Sequence, residues 1–352
     1  MPLATTKRLL AGGLSLLALL LSSTPAEACT RVLYTAPDGT VIMGRGMDWA
    51  EDMRTNLWAL PRGMKRDGAT GANAPRWTSR YGSLVASGYD VGTADGMNEK
   101  GLVANLLYLA ESEYGTPDGK PALSISLWAQ YALDNFATVD EAVTALAREP
   151  FQVVTATLPT GQKAQLHLSL SDASGDSAIL EYIGGKLVIH HGKQFVVMTN
   201  SPTYDQQLAL NAYWEQIGGL VMLPGTNRAA DRFVRASFFI KTIPQTDDEK
   251  RAVAAVLSVI RGVSVPLGIT TPGQPNIAST LWRTLYDQRN KVLFFDSATS
   301  PTVFWTPLSD LDFTAGAAVK KLTLVGGKTY SGNAAGEFKE SKPFEFLPAK
   351  AE

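Results

Sequence analysis

The 352-residue sequence contains a single cysteine, Cys29, so no intrachain disulfide can form and stability must come from packing. Histidine is almost as scarce. The three copies, at 167, 190 and 191, show no Cys/His spacing pattern, which argues against a zinc site, and no metal or other cofactor is expected. Charged residues make up only 18% and nearly balance at a net charge of −1, so the basic excess of a nucleic-acid binder is missing. Beyond an N-terminal run, no apolar stretch reaches the ~18 residues needed to span a bilayer. Internal repeats and low-complexity segments are also lacking. What is present is 45% hydrophobic residues, enough for one sizeable core.

The N-terminal run explains where the lone cysteine lies. Lys7 and Arg8 are followed by an apolar segment from Leu9 to Leu21, then by helix-breaking Ser22-Ser23-Thr24-Pro25 and the small residues Ala26 and Ala28. That is the layout of a secretory signal peptide with an A-x-A cleavage site, expected over residues 1–28, with residues 29–352 as one domain in the periplasm or outside the cell. Cleavage after Ala28 would make Cys29 the N-terminal residue, its thiol beside a free α-amino group. Model values of about 8.5 and about 7.7–8.0 are close enough for a proton to pass between them, so the residue would be a nucleophile carrying its own base. Two other readings stay open: a lipid-anchored cysteine, giving a membrane-tethered binding protein, and a buried structural thiol.

Downstream, a β-rich run from Thr30 to Thr35, the turn Pro37-Asp38-Gly39-Thr40 and Val41-Ile42-Met43 read as a hairpin that returns Arg45 and Asp48 toward Cys29. Residues 62–80 read as a surface loop. Strands are expected at 83–87, 93–97 and 102–108, and a helix over 121–136. A second helix opens on the capping box Thr138…Glu141, with Val143, Leu146 and Ala147 facing the core. Strands follow at 153–158, 165–171, 178–183, 186–190 and 194–199, helices at 204–217, 228–240 and 247–260, and strands at 279–287, 291–295 and 302–306. After Phe313 the chain reads as a Gly-rich, charged tail. Long runs of one element type suggest α+β layering.

Several segments together resemble the choloylglycine hydrolase family of N-terminal-nucleophile hydrolases, whose members are bile salt hydrolases and penicillin V acylases. They are Cys29-Thr30, Gly44-Arg45-Gly46-Met47-Asp48-Trp49, Met97-Asn98-Glu99-Lys100-Gly101-Leu102, Thr199-Asn200-Ser201-Pro202 and Arg232-Phe233-Val234-Arg235. The resemblance implies a four-layer αββα fold and hydrolysis of a linear, non-peptide amide through a cysteine acyl-enzyme. It also implies residue roles. Cys29 would attack the carbonyl, Arg45 would favour thiolate, Asp48 would hold the α-amino group and Asn200 would donate to the oxyanion. Arg232 would be the active-site arginine, with Arg235 as its competitor. Tyr108 stands where penicillin acylases have Tyr and bile salt hydrolases have Asn, at a position that can donate a backbone N–H to the oxyanion hole. Trp49, similar to the Gram-negative branch, would supply apolar surface for an acyl group.

Those implications favour a small acyl amide as the partner molecule, either penicillin V or an N-acyl homoserine lactone, with conjugated bile salts as the alternative. The segment between Asn200 and Arg232 is short compared with members that use a loop there for tetramer assembly, so a homo-oligomer is possible rather than required.

Overall fold

The computed structural model describes residues 29–117, 119–269 and 279–350. The export segment expected over residues 1–28 lies outside the described residues. The expected hairpin forms from β1 (Thr30–Thr35) and β2 (Val41–Trp49), closed where the Asp38 carboxylate accepts from the Thr40 N–H and hydroxyl. The pair lies inside a seven-stranded sheet. Its order is Val197–Met198, β1, β2, Ser279–Asp287, Val292–Ser297, Val303–Pro307 and Gly332–Asn333, antiparallel except for the last pair.

A second, wholly antiparallel sheet has nine strands, running from Lys186–His191 through Ser177–Ile183, Leu166–Ser171, Val103–Tyr108, Gly92–Asn98, Ser83–Gly88 and Leu57–Leu60 to Lys320–Leu322 and Lys339–Glu340. Its strands alternate between two cores with the period-two pattern of a pleated strand. Leu57 and Ala59 join the core shared with the first sheet, while Trp58 and Leu60 join one on the far side. That far core is covered by α1 (Trp128–Asn135) and α2 (Val139–Leu146). On the outer face of the first sheet, α4 (Ala229–Thr242) and α5 (Glu249–Gly262) pack against β1 and β2, and α3 (Tyr204–Ile217) packs against α4. The layers are therefore helix, sheet, sheet, helix. Gly44 shows how tightly they fit: a Cβ there would lie 2.9 Å from both Val256 and Ile260 of α5. Among the described residues no helix is long and apolar enough to cross a membrane.

Some expectations are corrected. Residues 62–80 are not simply a loop but carry a two-stranded ribbon, Lys65–Asp67 with Arg76–Thr78, pinned where the Trp77 indole donates to Asp134. One face is exposed and the half-buried one carries Arg66 and Trp77 rather than a run of aliphatic residues, so no hydrophobic alternation marks it. The helix expected over 121–136 is shorter, because Ala122–Ser124 is drawn into parallel pairing with Gln152–Val154, and what remains helical is a 3-10 turn at Ile125–Leu127 leading into α1. In α2 the Thr138 hydroxyl accepts from the Glu141 N–H as expected, but the core face is Val139, Ala142 and Leu146; Val143 is half-buried and Ala147 exposed. The strands expected at 153–158 and 194–199 shrink to Gln152–Val154 and Val197–Met198. The charged tail is partly strand: Lys320–Leu322 pairs with Leu57–Leu60 and extends the nine-stranded sheet.

Candidate active site

Cys29 immediately precedes β1, between the two sheets, and is 1% exposed. Because β1 and β2 are in register at Thr30 and Gly46, the strand residues 45 to 49 pass directly beside it. Pleating then sends neighbours to opposite faces. Arg45 points between the sheets, where Nη2 donates to the Leu106 carbonyl at 2.8 Å and lies 3.8 Å from the Cys29 sulfur. Its guanidinium sits over the Trp282 ring at 4.9 Å and 3.7 Å from the Asp95 carboxylate. Asp48 instead faces the helices, where its carboxylate accepts from the Thr280 hydroxyl and lies 3.8 Å from Arg232. A β-bulge between Thr280 and Trp282 makes both contacts possible, because it pairs Thr280 with Asp48 while Trp282 pairs with Met47.

Two further segments close the site. Asn200 follows the two-residue strand Val197–Met198; its Oδ1 accepts from the Cys29 N–H and from Arg232 Nη2 at 2.9 Å, and its Nδ2 donates to the Tyr108 carbonyl at 2.7 Å. Both groups bonded to Oδ1 are pure donors, so the orientation of the amide is set by its partners. Arg232, fully buried on α4, also donates to the Cys29 carbonyl and the Thr30 hydroxyl, each at 2.6 Å. Arg235 turns outward and caps the carbonyls of Pro224 and Thr226. Of the two arginines, Arg232 is the one that lies against Cys29.

The electrostatics follow from burial. Desolvation pushes the Cys29 thiol up, and Arg45 is the main force pulling it back toward thiolate. Asp48 is pushed up to about 6, again by burial, with Arg232 and the Thr280 hydroxyl opposing the rise. With residue 28 attached, the Cys29 nitrogen is a peptide amide with one hydrogen. It stands in the place an α-amino group would occupy in a chain beginning at Cys29.

Beyond the sulfur opens an apolar pocket lined by Trp49, Met53, Tyr89, Tyr108, Ile125 and Leu158, with about 70 Å³ of free volume. The Trp49 indole donates to the Tyr89 hydroxyl at 2.7 Å, and its ring meets Tyr108 edge-on at 6.4 Å. Leu347, from the tail, also lines it. A larger and more polar cavity of about 700 Å³ adjoins it at Gln165 and Pro348 but contains none of the converging groups, so its size does not make it the reaction site.

All seven residues expected at the site therefore converge. Sequence reading missed Asp95, Thr280, Thr30 and Tyr89. Of these, Thr30 stands in the Cys29-Thr30 segment and Asp95 two residues before the Met97–Leu102 motif, while Thr280 and Tyr89 had no such marker. That motif itself is a turn: Asn98 Oδ1 accepts from the N–H groups of Lys100 and Leu102, and Gly101 sits at φ +89°, where an added Cβ would strike the Gln288 carbonyl at 2.5 Å.

Comparison with known proteins agrees with this geometry. Residues 29–320 match the family of linear amide C–N hydrolases, choloylglycine hydrolase family. A penicillin V acylase of Pectobacterium atrosepticum is 53% identical over 95% of this chain and 96% of its own. The solved penicillin V acylase from Agrobacterium tumefaciens superposes with a TM-score of 0.86 at 59% identity, covering 91% of this chain and all of that one. A bile salt hydrolase/transferase of Clostridium perfringens is 28% identical over 69% of this chain and 80% of its own. The αββα layering and the motifs thus have one explanation: the chain is an amidohydrolase belonging to the choloylglycine hydrolase family of linear amide C–N hydrolases.

Proposed function

We propose that the chain is exported, trimmed after Ala28, and then hydrolyses small acyl amides of the penicillin V or N-acyl homoserine lactone class with Cys29 as nucleophile. The observation that carries this reading is the convergence of Arg45, Asp48, Asn200 and Arg232 on Cys29 at the mouth of an apolar pocket. The family match opens on Cys29 itself, in keeping with a mature chain that begins there.

In the proposed reaction the thiol proton passes to the α-amino group and the sulfur attacks the amide carbonyl. The oxyanion is met by the second Asn200 Nδ2 hydrogen, the first being held by the Tyr108 carbonyl, together with the Tyr108 backbone N–H. The C–N bond breaks as the leaving nitrogen takes the proton, which leaves a thioester. Water then attacks, gives its proton to the same amine, and releases the acid as the thiol is restored. Asp48 holds the α-amino group, and Arg45 favours thiolate.

The narrow pocket between Trp49, Tyr89 and Tyr108 favours a flat phenoxy ring or a slender acyl chain over a rigid steroid, which ranks conjugated bile salts below the other two. The decisive experiment is a panel of penicillin V, acyl homoserine lactones and glycocholate with the trimmed protein. Glycocholate as best substrate would overturn the ranking. Intact mass of the exported protein tests the processing: a chain starting at an unmodified Cys29 is expected, and added lipid mass would point to the anchored alternative.

A further inference from the structure

Asn200 is aimed by more than its side-chain partners. The peptide carbonyls on either side of its Cα are both held by buried side chains. Gln207, on α3 and 1% exposed, donates to the Asn200 carbonyl and, at 2.6 Å, to that of Pro202. His167, fully buried on strand Leu166–Ser171, places Nε2 2.9 Å from the Thr199 carbonyl, which belongs to the peptide preceding Asn200. On its other side, His167 Nδ1 is 2.9 Å from Glu181 of the neighbouring strand, and both Glu181 oxygens accept from the Tyr204 N–H that opens α3.

The hydrogen-bond inventory of this chain is restrictive. A carbonyl can only accept, so Nε2 must carry the hydrogen that joins it to Thr199. Nδ1 then faces a carboxylate, and that contact closes only if a second proton lies between them. Glu181 is engaged as an acceptor at a helix N-terminus, where negative charge is favoured. The ring is thus held rigidly with a hydrogen directed at the peptide of Asn200. Neither His167 nor Glu181 touches Cys29, and the bond from His167 to the Thr199 carbonyl is the pair's direct link to a site residue, Asn200.

We propose that His167, braced by Glu181, is a positioning residue: it fixes the Thr199–Asn200 peptide and so sets the aim of the Asn200 amide at the developing oxyanion. This rests on the oxyanion role proposed above for Asn200. The physical reason is preorganisation, since an oxyanion donor acts through alignment made before the reaction, and small misplacements are costly. A purely structural His167 would hold the sheets together without favouring one end of its ring.

The test uses the two amides that mimic one ring nitrogen each. In His167→Gln the amide nitrogen falls near Nε2 and keeps the bond to Thr199; in His167→Asn it falls near Nδ1 and cannot reach. In the trimmed protein, His167→Asn is expected to lower kcat by about ten- to a hundredfold with KM within about threefold, while His167→Gln recovers most of the loss. Alkylation of Cys29 by iodoacetamide should proceed at the wild-type rate in both, because Arg45 is untouched. Equal kcat in the two folded variants overturns the proposal, as does alkylation that slows in step with kcat. Should His167→Asn not fold, His167→Leu with Glu181→Met leaves no unpaired buried charge and is read by the same criterion. Asn200→Ala, measured alongside, separates the two readings. If it costs less than about threefold, the role of Asn200 fails; if it costs far more while the His167 variants are silent, only the role of His167 fails.

Discussion

The two sides of Cys29 are built differently. Toward the helices, Asn200, Arg232, Asp48, Thr280 and Thr30 form one closed set of hydrogen bonds and ion contacts, all of them 2% exposed or less. Toward the substrate, the lining is apolar, and its main polar link is the chain from the Trp49 indole through the Tyr89 hydroxyl to Glu51. Removing one member of the first set strands a buried charge or donor, which costs about 3–5 kcal/mol for a broken buried ion pair. Truncating a member of the second removes area and dispersion, and the loss is graded. The chemistry should therefore respond to substitution almost as a switch, and selectivity almost as a dial.

The strongest way to break that contrast is at Cys29. Cys29→Ala should abolish turnover while leaving the circular dichroism spectrum unchanged. A stable N-terminal extension should be as damaging, since a peptide nitrogen is not a base; full activity from an extended chain would end the N-terminal-nucleophile mechanism. Next in size is Asn200→Ala, expected to lower kcat by roughly 10²–10³. A loss confined to KM would place Asn200 in binding instead.

Asp48 sharpens the comparison through pH. Its carboxyl is pushed up to about 6 by burial, so the ionised form facing Arg232 is lost as the pH falls through that value. The logarithm of kcat/KM should accordingly fall with an acid limb near 6. Asp48→Asn should lower the plateau and erase that limb, and a limb that persists unchanged would assign it to another group. The smallest effect belongs to the pocket. Trp49→Ala should reduce kcat/KM for the preferred acyl amide by about tenfold, equivalent to ~1.4 kcal/mol, and for glycocholate by less. Equal losses on every substrate would make Trp49 a packing residue rather than a selector.

Local pattern was sufficient wherever the physics is local. The β-rich runs at residues 30–35 and 41–43 with a Pro-Asp-Gly turn between them make a hairpin, and the hairpin alone returns Arg45 and Asp48 to Cys29. The Thr138 cap, the three helices after Asn200 and most strands were legible for the same reason. Pattern failed where backbone pairing came from far away. Ala122–Ser124 carries helical spacing yet pairs with Gln152–Val154, and the residues after Phe313, read as a tail, lend a strand to the second sheet and Leu347 to the pocket.

By itself the sequence determined that the one thiol follows an apolar run ending in Ala-Glu-Ala, that a hairpin brings an arginine and an aspartate to it, and that the layers are α+β. These are matters of spacing and period. Only the tertiary structure decided which arginine of α4 lies against Cys29. Arg232 and Arg235 stand three residues apart, close to one turn, so helical period leaves both near the same face, and packing against Cys29 selects Arg232. It also decided that Arg45 and Asp48 act on opposite faces of one strand, since that depends on which layer lies above and which below. The bulge at Leu281, which seats Thr280 on Asp48, has no local signature at all; it exists only as a mismatch between two strands more than two hundred residues apart in the chain.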